Sequence, residues 1–260
     1  MRLYPGGSTV VLDDWVFNTQ AMLWVMAAGC AAVGAFQLMR GFGRRTGLAF
    51  ALVGGMFVFA FLSWAASGDT LNLAGMLRIM VVRSVPLTLG ALSGILCERA
   101  GVFNIAIEGM MLMAAMVGAL VGSVSKNMWV GLLAAIASSV LLAWIHAVLS
   151  IRYKINQIIS GTVINIFSTG MSSYISSKFL QTYQYLNNPP VFPRVPIPLL
   201  ADIPVIGPLF FNTNLFVYLM FILLIVIQVA LFATRWGLRL RSVGEHPKAA
   251  DTLGINVFRT

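Results

Sequence analysis

The chain has 260 residues, 59% of them hydrophobic and only 10% charged, whereas a soluble domain carries roughly 25% charged residues, so a water-soluble fold is excluded. The formal net charge of +9 and the isoelectric point near 10.2 do not point to nucleic acid, because the 17 basic residues are spread among the breaks between apolar runs and form no single patch. The mean hydropathy of +0.88 and repeated apolar runs of about 20 residues, the length that crosses a ~30 Å hydrocarbon core as a helix, predict an all-α, polytopic transmembrane helix bundle.

Seven runs follow in chain order, over 21–39, 47–66, 76–97, 105–124, 128–150, 155–180 and 215–233. The segment before the first carries Asp13 and Asp14 and no basic n-region, so that run reads as a retained span and not a cleaved signal. Cys30 and Cys97 lie in apolar stretches without metal-ligand spacing and read as buried thiols. Under the positive-inside rule, the breaks holding Arg40, Arg44 and Arg45, then Arg99, then Arg152 and Lys154, and the tail with Arg235, Arg239, Arg241, Lys248 and Arg259 are cytoplasmic. The other side receives Asp13, Asp14, Asp69 and Asp202, with Arg2, Lys126, Lys178 and Arg194, which puts the N-terminus outside.

The third run is irregular. Arg78 and Arg83 sit within it and Pro86 interrupts it, so residues 76–84 are expected as a tilted or interfacial piece before a short helix over 86–97, a discontinuous helix of the kind transporters use. Seven prolines between Pro189 and Pro208 make 181–214 an extracytoplasmic Pro-rich loop and an outer docking surface.

Between the third and fourth runs, Glu98 to Gly109 offers a flexible Gly101, Asn104 as an N-cap, and Glu108 in the first turns of the next helix. Two readings stand for Glu108: an acid stabilised by the helix dipole, or an ionisable group facing the interior that marks a path or gate, with Arg83 or Arg99 as its partner. Glu98 and Glu108 have no nucleophile or metal-ligand cluster beside them, which weakens a catalytic use.

In the sixth run Gln157, Gly161, Asn165, Ser168 and Ser172 follow at helical spacing and form one polar stripe. Such a stripe either glues helices together or lines a polar solute's path; Gln157 and Asn165 lean to lining and Gly161 to packing. His146 reads as a hydrogen-bonded bundle residue. In the tail, 234–260, Pro247 suits the first position of a short helix and Gly254 its end. That helix exposes small Ala249 and Ala250, and by itself reads as a turn in a solvated cytoplasmic loop.

Three blocks in this order, Glu98 to Gly109 continuing into Met110-Met111-Leu112-Met113, Ile155 to Asn165, and Val243 to Val257, resemble the permease subunits of general nucleoside (simple-sugar-type) ABC importers, which group with the ribose and branched-chain amino acid permeases. The resemblance runs from about Arg83 to the end. It implies nucleotide-binding ATPase subunits, a second permease subunit, an external substrate-binding lipoprotein and a small-molecule substrate in a bacterial plasma membrane. It also implies that Gly244, Glu245, His246, Pro247, Ala249, Ala250, Gly254 and Ile255 form the cytoplasmic coupling helix and its flanks. Independently of it, because a bundle turns polar groups away from lipid, Arg83, Asn104, Glu108, Gln157 and Asn165 are expected on the translocation path or gate. No cofactor or metal is expected in this chain; ATP and Mg are expected on the partner subunit, since the sequence has no Gly-Lys pair for a phosphate-cradling loop. The family continues past Gly254-Ile255 into further spans, so residues 1–260, one permease domain, are expected to be a C-terminally shortened form. Ala106 stands where the family is expected to have Gly. An intramembrane enzyme and a non-transporting receptor or scaffold are the alternatives. The enzyme would need a positioned base, nucleophile or metal cluster, yet His146 and His246 lie in distant segments; for the receptor or scaffold the Pro-rich outer loop would be the binding element.

Overall fold

The computed structural model describes residues 2–3, 15–16, 18–67, 70–71, 73–201, 203 and 206–257. Asp13, Asp14, Asp69 and Asp202, assigned above to the outer side, and Arg259, assigned to the inner, lie outside the described residues. The chain divides into two compact units, 1–81 with 195–213, and 82–194 with 214–260.

In the first unit α1 (Thr19–Met39) is N-capped by Asn18, whose side chain accepts from the amides of Gln20 at 3.0 Å and Ala21 at 3.4 Å. A 3₁₀ turn at Gly43–Arg45 leads into α2 (Thr46–Ala65). Cys30 is half-buried and so is Cys97 in the second unit; both are free, and neither is the fully buried thiol expected. The Pro-rich segment is not wholly extended: a π-helical turn forms at Gly207–Phe211, and the Phe211 carbonyl accepts the Ile197 amide at 2.9 Å. Arg78 donates through Nη2 to the Asn212 carbonyl at 3.0 Å, which gives this charged group in an apolar run a partner.

The helix α3 (Leu73–Arg99) is continuous, with Pro86 inside it, and the expected break at 84–86 is corrected. Proline removes one donor and biases its predecessor away from the helical region. Lipid provides no other partner for the remaining backbone groups, so continuing the ladder on both sides is the lower-energy choice.

The second unit continues with α4 (Ile107–Ser125), α5 (Met128–Ala147), α6 (Gln157–Ile175), α7 (Leu215–Ala233), α8 (Arg235–Glu245) and α9 (Pro247–Thr252). Among the described residues, six helices are long and apolar enough to cross a membrane: Thr19–Met39, Gly43–Ala65, Gly75–Arg99, Ile107–Ser125, Met128–Arg152 and Leu215–Ala233. The chain is a multi-pass, all-α membrane protein. The seventh expected span, α6, has the length, 19 residues, but its polar stripe keeps it out of that set. Turns of π-helix extend α5 over Val148–Arg152 and α6 over Ser176–Leu180.

Met110, Met113 and Met116 put α4's apolar stripe against Leu142, Ile164 and Leu180 in the core of this unit. These methionines recur every three residues, close to the helical period. Helices α4 and α5 meet through glycines: a Cβ on Gly131 would lie 2.9 Å from the Gly118 carbonyl oxygen and 2.9 Å from the Gly122 Cα. Small residues four apart allow this backbone approach, which lipid-facing helices use in place of a hydrophobic drive.

The contacts sort the breaks of the second unit by end. At one end, the loop after α3 touches the start of α6 and the end of α8. At the other, Trp129 at the start of α5 meets Phe192 edge-on at 5.2 Å, and Phe192 meets Phe216 at the start of α7 at 4.9 Å.

Candidate functional site

The first four N–H groups of any helix lack intrahelical partners, and at α4 one of them, the Gly109 amide, is satisfied from a distant helix. Asn104 is not the N-cap. Ala106 holds that position, and Asn104 closes a local turn, its Oδ1 accepting the Ala106 amide at 3.1 Å while its Nδ2 points at Cys97 Sγ, 3.8 Å away. The Gly109 amide donates to Oδ1 of Asn165 on α6 at 2.8 Å, and Asn165 Nδ2 donates to the Ile105 carbonyl at 2.9 Å. One side chain from a distant helix thus ties both strands of the turn. Gln157 Oε1 accepts the Phe103 amide.

Close approach makes these bonds possible. A Cβ on Gly109 would lie 2.7 Å from Asn165 Oδ1 and 2.9 Å from its Cα, and one on Gly161 would lie 3.1 Å from the Ala106 nitrogen. Ala106 itself is completely buried. In this arrangement both Gln157 and Asn165 have their amides engaged on the 101–106 loop, which is the binding of helix to loop expected of glue. Beneath, buried His146 sits with Nδ1 3.1 Å from Ser160 Oγ.

On its other side the loop meets α8. Gly101 adopts φ +81°, and a Cβ there would lie 3.1 Å from the Gly244 Cα; a Cβ on Gly244 would fall onto the Arg99 carbonyl and 2.9 Å from the Gly101 nitrogen. Only glycine fits at both positions. Beyond Gly244, His246 caps α9, its Nδ1 accepting the Ala249 amide at 3.1 Å. The helix closes with Gly254 at φ +79°, its amide on the Asp251 carbonyl at 2.9 Å and that of Ile255 on the Ala250 carbonyl at 3.1 Å. This is the paired C-terminal bonding of a Schellman motif. Ala249 is exposed as expected; Ala250, expected to be exposed too, is 2% exposed. Its methyl faces the protein because α9 lies on its own subunit through that side, so the outward surface comprises Pro247, Lys248, Ala249 and Asp251.

Arg83 and Glu108 are exposed, and among the described residues no ion pair joins Glu108 to Arg83 or Arg99. None of the five expected path residues lines the cavity of about 660 Å³ between α3, α4, α5 and the start of α7, whose wall includes Pro86, Met110, Met111, Ser139, Asn214 and Phe216. Among the described residues no group of three or more His, Cys, Asp or Glu is placed to hold a metal.

Residues 75–260 match the family described as branched-chain amino acid transport system / permease component. The chain belongs to this family. It is 39% identical over 188 residues to the guanosine ABC transporter permease protein NupQ of Bacillus subtilis, a match covering 69% of this chain and 58% of the relative. It is 36% identical over 186 residues to the nucleoside ABC transporter permease protein NupC of Lactococcus lactis, covering 69% and 58%. It is 35% identical over 190 residues to TsgC13 of Haloferax volcanii, whose name assigns it provisionally to a glucose ABC transporter as a permease protein, covering 72% and 56%. The chain thus spans a little over half the length of these curated relatives. No solved structure matches it.

The family places this chain among transport permease components and not among enzymes. Within this permease, reading the sequence missed the Gly101–Gly244 contact and the Gly118, Gly122 and Gly131 packing. The four-residue spacing of Gly118 and Gly122 was a visible signal for the second; nothing local signals the first, because its partners lie far apart in the chain. Gln157→Leu is expected to free the Phe103 amide and loosen only the loop. Amide hydrogen exchange should rise at 101–106 by about tenfold, on the order of the 1–1.5 kcal/mol of one net hydrogen bond, with exchange in α4 unchanged.

Proposed function

We propose that this chain is the membrane-spanning permease subunit of an ATP-binding cassette importer that moves nucleosides across a bacterial plasma membrane. The observation that carries the reading is the family match over 75–260, joined by two relatives whose names specify guanosine and nucleosides. ATP and Mg would be held by paired nucleotide-binding subunits. A second permease subunit and an external substrate-binding lipoprotein would complete the importer. The end of the second unit that gathers the 101–106 loop, Gln157 and α8 is the cytoplasmic end, an assignment supported by Arg99, Arg152, Lys154, Arg235, Arg239 and Lys248 in these segments. There α9 acts as the coupling helix: its outward face with Lys248 and Asp251 docks on the ATPase subunit, and the Gly244–Gly101 contact passes its displacement to the loop. Arg83 and Glu108, exposed ionisable groups on membrane helices, serve the solute path or its gate.

The test uses the full-length protein with its ATPase and second permease subunits, measuring ATPase pull-down and uptake of labelled guanosine and glucose. Guanosine uptake that requires ATP is expected. Lys248→Glu and Gly254→Val, the latter straining the left-handed stop by about 1–2 kcal/mol, should both reduce pull-down and uptake at normal expression. Unaltered association in both variants overturns the docking role; uptake of glucose but not guanosine overturns the substrate.

A further inference from the structure

We propose that Arg99, Arg241 and Phe232 form a binding site for the phosphate of an anionic phospholipid. Three helices deliver these groups to one place: Arg99 from the last turn of α3, Phe232 from the last turn of α7, and Arg241 from α8. The Arg241 guanidinium carbon lies 5.0 Å from the centre of the Phe232 ring and that of Arg99 5.9 Å. Two like charges thus share one aromatic ring. Each is drawn to its electrons, but they repel each other, and among the described residues neither forms an ion pair with a carboxylate. Glu98 and Glu245, the nearest acids in sequence, are both exposed.

The Arg241 side chain is half-buried, with its Nε out of solvent and without a hydrogen-bond partner. An unmet donor on a guanidinium placed over a ring is poor for stability and good for recognition. The planar fork is already oriented, and phosphate oxygens match its geometry. A bound phosphate would also relieve the repulsion between the two arginines.

The surroundings favour a phosphate carried on a lipid over a free anion. α3 and α7 are membrane-spanning helices that end here, so the charges sit where the hydrocarbon gives way to headgroups. Phe232 is 49% exposed and Leu238, three residues before Arg241 and therefore beside it on α8, is 58% exposed. A soluble anion gains nothing from such apolar surface, whereas an acyl chain covers it. The helix α8 buries Gly237, Leu240 and Val243 on its inner face and leaves Arg235, Trp236 and Arg239 exposed, the pattern of a helix lying in the interfacial plane.

The purified chain is reconstituted in nanodiscs of phosphatidylcholine alone or mixed with phosphatidylglycerol, and the lipids it retains are counted by native mass spectrometry. Preferential retention of phosphatidylglycerol is expected, falling roughly tenfold for Arg99→Gln and for Arg241→Gln, as for the loss of one charge-assisted hydrogen bond to the phosphate. Arg235→Gln, which removes an equal charge from the outward face of α8, should change it little. Phe232→Leu keeps both charges but frees the forks, so an intermediate loss is expected even if an arginine variant fails to fold. Equal retention of the two lipids by the parent chain overturns the proposal, as does an effect of Arg235→Gln as large as that of Arg241→Gln. Displacement of the lipid by inorganic phosphate alone, at concentrations that leave the lipids of the Arg241→Gln variant in place, assigns the site to a free anion and overturns its assignment to a lipid.

Discussion

Gly244→Val is expected to destabilise the protein by about 3 kcal/mol and to abolish transport by the assembled importer. The new Cβ would fall on the Arg99 carbonyl, with the Gly101 nitrogen 2.9 Å away. Backbone atoms at the end of a helix cannot rotate aside as a side chain does, so α8 must lift or the loop must move. Overpacking of this sort costs roughly 1–3 kcal/mol, and the upper end applies because both neighbours are main chain. Thermal unfolding in detergent reads the first part. Transport and ATP hydrolysis measured together read the second: hydrolysis that continues while uptake is lost is expected if α8 and α9 stay attached to the partner but no longer move the loop. Glu245→Ala, one residue on and exposed, should lie within about 0.5 kcal/mol of the parent. A Gly244→Val protein with parental stability and uptake would falsify the contact as a structural link.

Asn165→Leu carries the other large effect. It leaves the Gly109 amide and the Ile105 carbonyl without the partners they have at 2.8 and 2.9 Å. Side-chain hydrogen bonds between membrane helices average only about 0.6 kcal/mol, because an unfolded chain in the membrane finds substitutes. The present case is harsher, since one bond satisfies a free amide in the first turn of α4, and Gly109 is buried. Unpaired buried groups cost about 1–3 kcal/mol each, so a loss on the order of 2–4 kcal/mol is expected. Asn165→Asp retains the acceptor, places a carboxylate at the positive end of α4 and loses only the bond to Ile105. It should therefore fall between Asn165→Leu and the parent. Equal unfolding temperatures for all three proteins would show that the loop is held by packing alone.

The spans were legible because the membrane imposes a requirement that each segment meets by itself: length, apolarity and internally paired backbone. That is why α1, α2, α4, α5 and α7 fall close to the runs read from composition. Local signals also sufficed at α9, where Pro247 opens the helix and Gly254 closes it in the left-handed conformation. A local signal misled at Pro86, because the preference of one residue was outweighed by the need to keep a whole span hydrogen-bonded. It misled again at Asn104, whose side chain turned to the amide two residues on and left the Gly109 amide of α4 to Asn165.

The polar stripe of α6 was visible from spacing, yet the partners of Gln157 and Asn165 were not, because they are backbone groups 54 and 60 residues earlier in the chain, at Phe103 and Ile105. The burial of Ala250 and the meeting of Gly101 with Gly244 were hidden for the same reason. The sequence by itself determined that this is a multi-pass helical membrane protein and which short blocks carry its family pattern, since hydropathy and caps act over a few residues. Only the tertiary structure decided that those blocks form one junction, in which α6 holds the loop from one side and α8 from the other, since that depends on which backbones come close enough to touch.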